Sequence, residues 1–293
     1  MKKGRISVIG ICGESIFMRL DHFHEVGETV VTDNIHIEAG GKGVNQALTL
    51  ASLGADVSFL TALGNDSYAK ECEKVFKEAG LKYQIAYKNG VKTDVGIILT
   101  DKTGENQVTV YSGASKLLNA NDVYAFEEHI ANSEYLLMQL ECSDEVLKAG
   151  VELAKKHDVK VILNPAPARA IDPDILKDIY MFTPNEMESK IIFENYLPKR
   201  YVVTLGKNGA MCCASNGTKT IIPPCPGVRK NTTGAGDVFN GAFCYKLLNG
   251  GTLIEAVMFG NAASSYKIES NYVLDGIPTL DIVNERVKFY KDL

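Results

Sequence analysis

Short apolar runs alternate with helical stretches along most of this chain, and that order restricts its fold more than any other feature. Residues 6–12, Ile6-Ser7-Val8-Ile9-Gly10-Ile11-Cys12, are almost continuously apolar, as in a strand buried on both faces. Residues 56–63, 135–140, 159–163, 180–183 and 201–205 repeat that character. Between them the pattern predicts a helix over 66–79, opened by Asp66 and stopped by Gly80, and another over 143–157. The Ser143-Asp144-Glu145 start of the latter suits a helix dipole. The last third reads as helices over 236–248, 253–268 and 280–293. Strands alternating with helices imply a mainly parallel sheet covered on both faces, an α/β architecture. The length of 293 residues suits one such domain over 1–293.

Two polar stretches interrupt the alternation. Residues 15–38 and 81–112 read as exposed strands inserted outside the main sheet, with Asp101-Lys102-Thr103-Gly104-Glu105 as a hairpin turn. Together they predict a small antiparallel sheet lying over the domain. His22 and His24 then share one face of a lid strand and read as solvated rather than metal-binding.

Charge and cysteine usage narrow the function. The net charge of −5 leaves no basic excess for a nucleic-acid backbone. The seven cysteines are scattered, with no Cys-x-x-Cys, which reads as reduced cytosolic thiols. No apolar run approaches membrane-spanning length. The N-terminal Lys2-Lys3 followed by an apolar run superficially suits a signal peptide. The run is short and no small-residue cleavage site follows, so a buried first strand is the better reading, in a cytoplasmic protein without membrane attachment.

The familiar nucleotide and hydrolase signatures are missing: no Gly-x-x-x-x-Gly-Lys-Ser/Thr, Gly-x-Gly-x-x-Gly, Gly-x-Ser-x-Gly or His-Glu-x-x-His. What remains is Asn231-Thr232-Thr233-Gly234-Ala235-Gly236-Asp237 before an apolar helix. Glycines at a helix start let backbone N–H groups turn toward an anion, and an adjacent aspartate can accept a hydroxyl proton. Phosphoryl transfer needs those two elements side by side. Alone, the segment also reads as a glycine turn with a capping aspartate. A second glycine cluster, Gly40-Gly41-Lys42-Gly43-Val44-Asn45-Gln46-Ala47, opens another helix, where Asn45 offers a donor and an acceptor to a hydroxylated ligand. Glu141, Asn164, Asn185 and Gly206 follow strand ends, the edge where ligands bind in such sheets.

These two clusters resemble the ribokinase-like (PfkB-type) carbohydrate kinases, and four further segments occur in the order ribokinases use. They are Met138-Gln139-Leu140-Glu141, Asn164-Pro165-Ala166-Pro167-Ala168-Arg169, Thr183-Pro184-Asn185-Glu186-Met187-Glu188 and Thr204-Leu205-Gly206-Lys207-Asn208-Gly209. The match spans nearly the whole chain. It implies a three-layer fold with a β lid that also clasps a homodimer, ATP and Mg²⁺ as cofactors, and a sugar hydroxyl as acceptor. Asp237 matches the base, and Gly234, Ala235 and Gly236 match the hole for the γ-phosphate. Gly41, Lys42, Gly43, Asn45 and Glu141 match sugar contacts. Asn185 and Glu188 match the Asn-x-x-Glu pattern associated with phosphate and hydrated Mg²⁺. Thr204, Gly206, Lys207 and Gly209 match the ATP loop, and Asn261 falls where the family contacts adenine.

Two departures stand against the matches. Where ribokinases carry Asn-x-Asp after the first strand, gripping ribose hydroxyls, this chain has Gly13-Glu14-Ser15. A hydroxyl that loses its carboxylate acceptor costs about 1–3 kcal/mol, so ribose is not expected to be the best substrate. A one-residue bulge turning Glu14 inward would restore the carboxylate. The family's monovalent-cation site often has aspartate where Asn231 stands, and Tyr272 and Gly276 replace its glycine and serine. Weak or absent K⁺ activation is expected. A nucleoside or pseudouridine kinase is the second reading within the class. A sugar- or nucleotide-binding regulatory protein with little turnover is the reading from another class.

Overall fold

β1 (Arg5–Ile9) lies inside the larger sheet of a computed structural model that describes residues 4–194 and 196–292. Ile6 and Val8 point to one core, Ile9 to the other, and all three are fully buried. Its polar member, Ser7, is buried too and shares a hydrogen bond with Ser133 Oγ at 2.9 Å. A strand covered on both faces has no solvent side to alternate toward, which explains the apolar run.

The other strands are β2 (Gly13–Arg19), β3 (Ile35–Gly40), β4 (Asp56–Leu63), β5 (Lys82–Tyr87), β6 (Asp94–Thr100), β7 (Asn106–Tyr111) and β8 (Tyr135–Gln139). Then come β9 (Lys160–Asn164), β10 (Met181–Phe182), β11 (Tyr201–Thr204), β12 (Ala210–Cys213) and β13 (Lys219–Ile222). The nine-stranded sheet runs β13-β12-β11-β10-β9-β8-β1-β4-β5. It is parallel from β11 to β5, and β12 and β13 add an antiparallel edge.

One face is covered by α1 (Lys42–Ser52), α2 (Ser67–Glu78), α8 (Ala235–Leu248), α9 (Leu253–Lys267) and α10 (Leu280–Val287). The other is covered by α3 (Ala120–Tyr124), α4 (Glu127–Ala131), α5 (Asp144–Lys156), α6 (Pro173–Leu176) and α7 (Glu186–Ile192). Phe59 of β4 meets Phe76 of α2 edge to face, with centroids 5.6 Å apart. Burying each such ring contributes about 1.5–3 kcal/mol. The layers are those of a ribokinase-like α/β fold.

The smaller sheet runs β3-β2-β6-β7. Only residues 10–12 link β1 to β2, and β3 passes straight through Gly41 into α1. Residues 88–93 and 112–113 supply two further connections, so four short segments join the smaller sheet to the rest of the domain.

Three expectations need correction. β5 pairs in parallel with β4, so residues 82–87 belong to the main sheet and not to the lid. Tyr83 and Ile85 alternate against the main core, and that burial decides the partner. Residues 21–34 form no strand, so His22 and His24 share no strand face, and His22 is bonded instead to Glu28 at 2.8 Å. Finally, β2 and β6 are parallel, so the lid sheet is mixed. The last predicted helix ends as α10 followed by a short 3₁₀ segment, and its residue 293 lies outside the described residues.

Candidate active site

The site begins with a contact between two glycines. A Cβ on Gly43 would lie 2.6 Å from Gly10 Cα, and one on Gly10 would lie 2.6 Å from Gly43 Cα. The start of α1 thus rests directly on the end of β1, and Val44 N donates to the Ile11 carbonyl at 3.2 Å. The close approach required of Gly43 is to its own chain. It aims the next turn of α1, with Asn45 and Gln46, at α8.

Gly234 precedes α8 at φ 76°, and a side chain there would strike Val273 at 2.6 Å. Gly236 has no atom within 4 Å of its Cβ direction, so packing does not require glycine there. Amides in the first turn of a helix lack intrahelical partners and carry its positive end. Ala235 and Gly236 close one end of a cleft of about 630 Å³.

Asp237 lies in that same turn, 6% exposed. Asn45 Nδ2 donates to its Oδ2 at 3.1 Å, and Gln46 Nε2 donates to its Oδ1 at 3.0 Å. Gln46 is itself locked. It also donates to Asn164 Oδ1 at 3.1 Å and accepts from Gln139 Nε2 at 2.7 Å. Asn164 in turn donates to the Thr183 carbonyl at 3.0 Å. Asn45 Oδ1 is buried without a protein partner beside this carboxylate. Such a group costs free energy unless a ligand hydroxyl meets it.

Lys42 is ringed by carboxylates. Asp237 does most to raise its pKa, against burial, with Glu141 and Glu188 adding to it. Glu141 Oε2 accepts the Lys42 backbone N–H at 2.9 Å. Burial first, then Asp237 and Asp94 against Lys42, push the Glu141 carboxyl up to about 7. Burial also raises Glu188, opposed by the Asn185 amide and Lys42. Lys42 therefore stands among Asp237, Glu141 and Glu188.

Asn185 and Glu188 form a reciprocal capping box on α7, so their spacing has a structural cause as well. Thr204, Gly206, Lys207 and Gly209 line the cleft, with Asn261 on its other wall. Gly206 is open toward the cleft. Gly209, at φ 86°, is required because a Cβ would meet the Ile222 carbonyl at 2.1 Å. The Asn261 amide donates to the Pro223 carbonyl at 3.0 Å, so that donor already braces a cleft loop. Asn231 is likewise committed. Its Nδ2 donates to the Asn271 carbonyl at 2.7 Å and its Oδ1 accepts from Thr233 N at 2.9 Å.

Gly13 and Ser15 lie on one face of β2, paired with Asp94 and Gly96 of β6. Glu14 points to the opposite face, where burial and the nearby Glu71 and Asp66 raise its pKa. The register from Gly13 to Met18 runs without a bulge against both neighbours, so Glu14 does not swing inward. Asp94, paired with Gly13, lies on the Gly13 face instead. Its carboxylate accepts from Gly113 N and Ser115 N, both at 3.0 Å, and from Ser115 Oγ. A Cβ on Gly13 would lie 2.7 Å from Asp94 Cβ, which explains the glycine.

A family model described as pfkB family carbohydrate kinase matches residues 3–280. The chain belongs to the pfkB family of carbohydrate kinases. Ribokinase from Haemophilus influenzae is 33% identical over 294 residues, covering 94% of this chain and 95% of that protein. Ribokinase from Bacillus subtilis is 32% identical over 292 residues, covering 96% and 98%. The crystal structure of ribokinase from Thermotoga maritima superposes with a TM-score of 0.86 at 32% identity, covering 97% and 99%. This pfkB kinase is thus a phosphotransferase with an alcohol acceptor, and its fold and enzyme class are those the motifs implied.

Sequence reading quoted Gln46, Gln139 and Asn164 within its motifs without giving them a role, and gave Asp94 only as the start of a strand. A faint signal existed for two of them: Gln46 extends the first glycine cluster, and Gln139 is a carboxamide ending an otherwise apolar strand.

Proposed function

We propose that this pfkB kinase moves the γ-phosphoryl group of ATP to a primary hydroxyl of a small sugar, with Asp237 as base and the first turn of α8 as phosphate hole. The observation that carries this is one helical turn holding both a carboxylate clamped by Asn45 and Gln46 and an unobstructed Gly236. The acceptor hydroxyl donates to Asp237. As its oxygen bonds to the γ-phosphorus, the bond to the bridging oxygen breaks, ADP leaves, and the proton passes to Asp237. Lys42 and the α8 amides meet the developing charge. Mg²⁺ usually takes one or two carboxylates beside substrate phosphates, and Glu188 fits that demand. Bound there, the ion would neutralise phosphate charge.

The sugar wall supports an acceptor other than D-ribose, although the relatives named above are ribokinases. Ser15 brings no charge, and the wall carboxylate is Asp94, one strand away on β6 and already holding three protein donors. Neighbouring strands are about 4.8 Å apart, so the favoured hydroxyl pattern shifts accordingly. ADP release over ribose, 2-deoxyribose, hexoses and nucleosides tests this, and ribose as clearly the best acceptor would refute it. A nucleoside acceptor has less support. The Phe17 ring already packs on Tyr272 at 5.6 Å, and Tyr111 pairs with Val95 on the face away from Gly13 and Ser15.

The pH profile offers a second check. A sugar contact through Glu141 requires its carboxylate form. Because its pKa is raised to about 7, kcat/KM for the sugar is expected to climb as pH rises through 7. In Glu141→Gln that limb should flatten. The same raised pKa stabilises the fold below the ordinary value of 4.5, an effect lost as pH rises through 7.

A homodimer through the lid is supported by Ile35, Ile37 and Ile97, which are exposed on the lid face opposite Gly13 and Ser15. Sedimentation equilibrium would read it, and a monomer at micromolar concentration would reject it. Seven free, buried cysteines support a reducing compartment such as the cytoplasm, which fractionation would test. Among the described residues no helix is long and apolar enough to cross a membrane.

A further inference from the structure

The C-terminus of α9 carries an unusual group. Lys267 is fully buried, at 0% exposure, in the last turn of that helix. Among the described residues, its ammonium makes one hydrogen bond, to the Asn231 carbonyl at 3.2 Å, and no carboxylate lies within ion-pair distance. Buried lysines are rare unless paired, because desolvating an ammonium is costly. Something must therefore make a cation worth holding here. Burial lowers the Lys267 pKa to about 8, while Glu38 on β3 and Asp275 in the following turn oppose that from further off, so the group is an ammonium below that pH. The helix end supplies negative potential as well.

The surroundings are built around this side chain. A Cβ on Gly276 would meet the Ser270 hydroxyl first and then Lys267 Cγ at 3.0 Å, so glycine there leaves room for both side chains. Glu38 binds the backbone N–H groups of Val273 at 2.9 Å and Leu274 at 3.1 Å, tying the lid to the same turn. Val273 is also the residue packed against Gly234. Asn231 N donates to the Ile268 carbonyl at 3.1 Å, so the end of α9 and the start of the glycine loop are joined at two points.

The resemblance implies a bound monovalent cation beside Asn231, and the groups present do not fit one. The Asn231 side chain is spent on Asn271 and Thr233. Its carbonyl faces the Lys267 ammonium, and the Ser270 hydroxyl lies 2.7 Å from both the Lys267 and Tyr272 carbonyls.

We propose that Lys267 is a built-in cation: its ammonium takes the place of a free monovalent ion and holds residues 231–236 in the shape that receives the transferred phosphoryl group. It is a positioning residue, acting through the Asn231 carbonyl on the phosphate hole. The proposal rests on the reading of Gly234–Gly236 given above, and its test includes arms that do not depend on that reading.

Turnover, melting temperature and ADP affinity of wild type, Lys267→Ala and Lys267→Met are measured in choline, Na⁺, K⁺ and NH₄⁺ at equal ionic strength. Wild type is expected to vary less than about twofold between choline and K⁺ in all three readouts. Lys267→Ala opens a space and should lose about tenfold to a hundredfold in kcat, somewhat less than the loss of a direct phosphate-hole donor. K⁺ or NH₄⁺ should restore part of that loss and raise the variant's melting temperature. Lys267→Met fills the space without charge and should lose activity without cation rescue. Severalfold K⁺ stimulation of wild type would overturn the proposal. So would a Lys267→Ala enzyme at wild-type kcat, or one that no cation stabilises or rescues. If the alanine variant does not fold, the wild-type cation response and the methionine variant decide. The cation dependence of melting and ADP affinity reads Lys267 even if a residue other than Asp237 proves to be the base.

Discussion

Asp237→Asn is expected to lower kcat by about three orders of magnitude while leaving the fold and the KM for ATP nearly unchanged. The structure explains why this variant should be clean. The carboxylate accepts one hydrogen bond from Asn45 and one from Gln46. An asparagine can accept only one of them, and its own NH₂ would then face a second NH₂. Gln46 cannot turn, because Asn164 and Gln139 hold both ends of its carboxamide. Asn45 can, because its Oδ1 has no partner to lose. A flip of Asn45 lets its oxygen accept from the new amide, so the stability change should stay within about 1 kcal/mol. The loss in kcat then reports the proton acceptor, while any change in sugar KM reports the turned Asn45. ADP release with the best acceptor of the panel, alongside thermal melting, provides the measurement. A folded variant keeping more than about a tenth of wild-type kcat would remove Asp237 from the role. Wild type without turnover on any acceptor would point to the binding-protein reading instead.

Gly43→Ala is expected to damage both stability and activity. The added methyl would sit 2.6 Å from the Gly10 backbone and 2.8 Å from Ile11 N. These are backbone atoms, so no side-chain rotation relieves the overlap. Helix α1 must move off β1, and overpacking of this kind costs about 1–3 kcal/mol or more. The same helix carries Lys42, Asn45 and Gln46, so the shift pulls the clamp away from Asp237. A displacement near 1 Å costs about a hundredfold in rate when it misplaces reacting groups. Gly236→Ala gives the contrast, since no protein atom lies within 4 Å of the new methyl. Its melting temperature should match wild type while nucleotide turnover falls. An unchanged Tm and kcat in Gly43→Ala would show that the α1–β1 contact is looser than drawn.

Both predictions depend on contacts of different legibility. The main sheet could be read from the chain because a strand covered on both faces has a local signature, as in β1. Helix starts were readable at Asp66 and Ser143 for the same reason: each caps an amide three residues away. β5 was misassigned because its half-exposed alternation suits either a lid or a sheet edge, and only the parallel pairing with β4 decides. Asp94 was given no role because nothing near it in sequence marks it. Its meaning comes from standing opposite Gly13 on a strand reached 81 residues later.

The sequence by itself determined the layer order, the two glycine clusters and the carboxylate at the start of α8, since each is written within a few consecutive residues. Tertiary structure alone decided which groups hold that carboxylate, because Asn45 and Asp237 are 192 positions apart. It also decided that Asp94 of β6 stands opposite Gly13, and that Lys267, outwardly an ordinary helix-end lysine, turns inward to Asn231. Local pattern reports which face of an element is apolar. It does not report which polar groups meet once those faces are buried, and the chemistry of this kinase lies in those meetings.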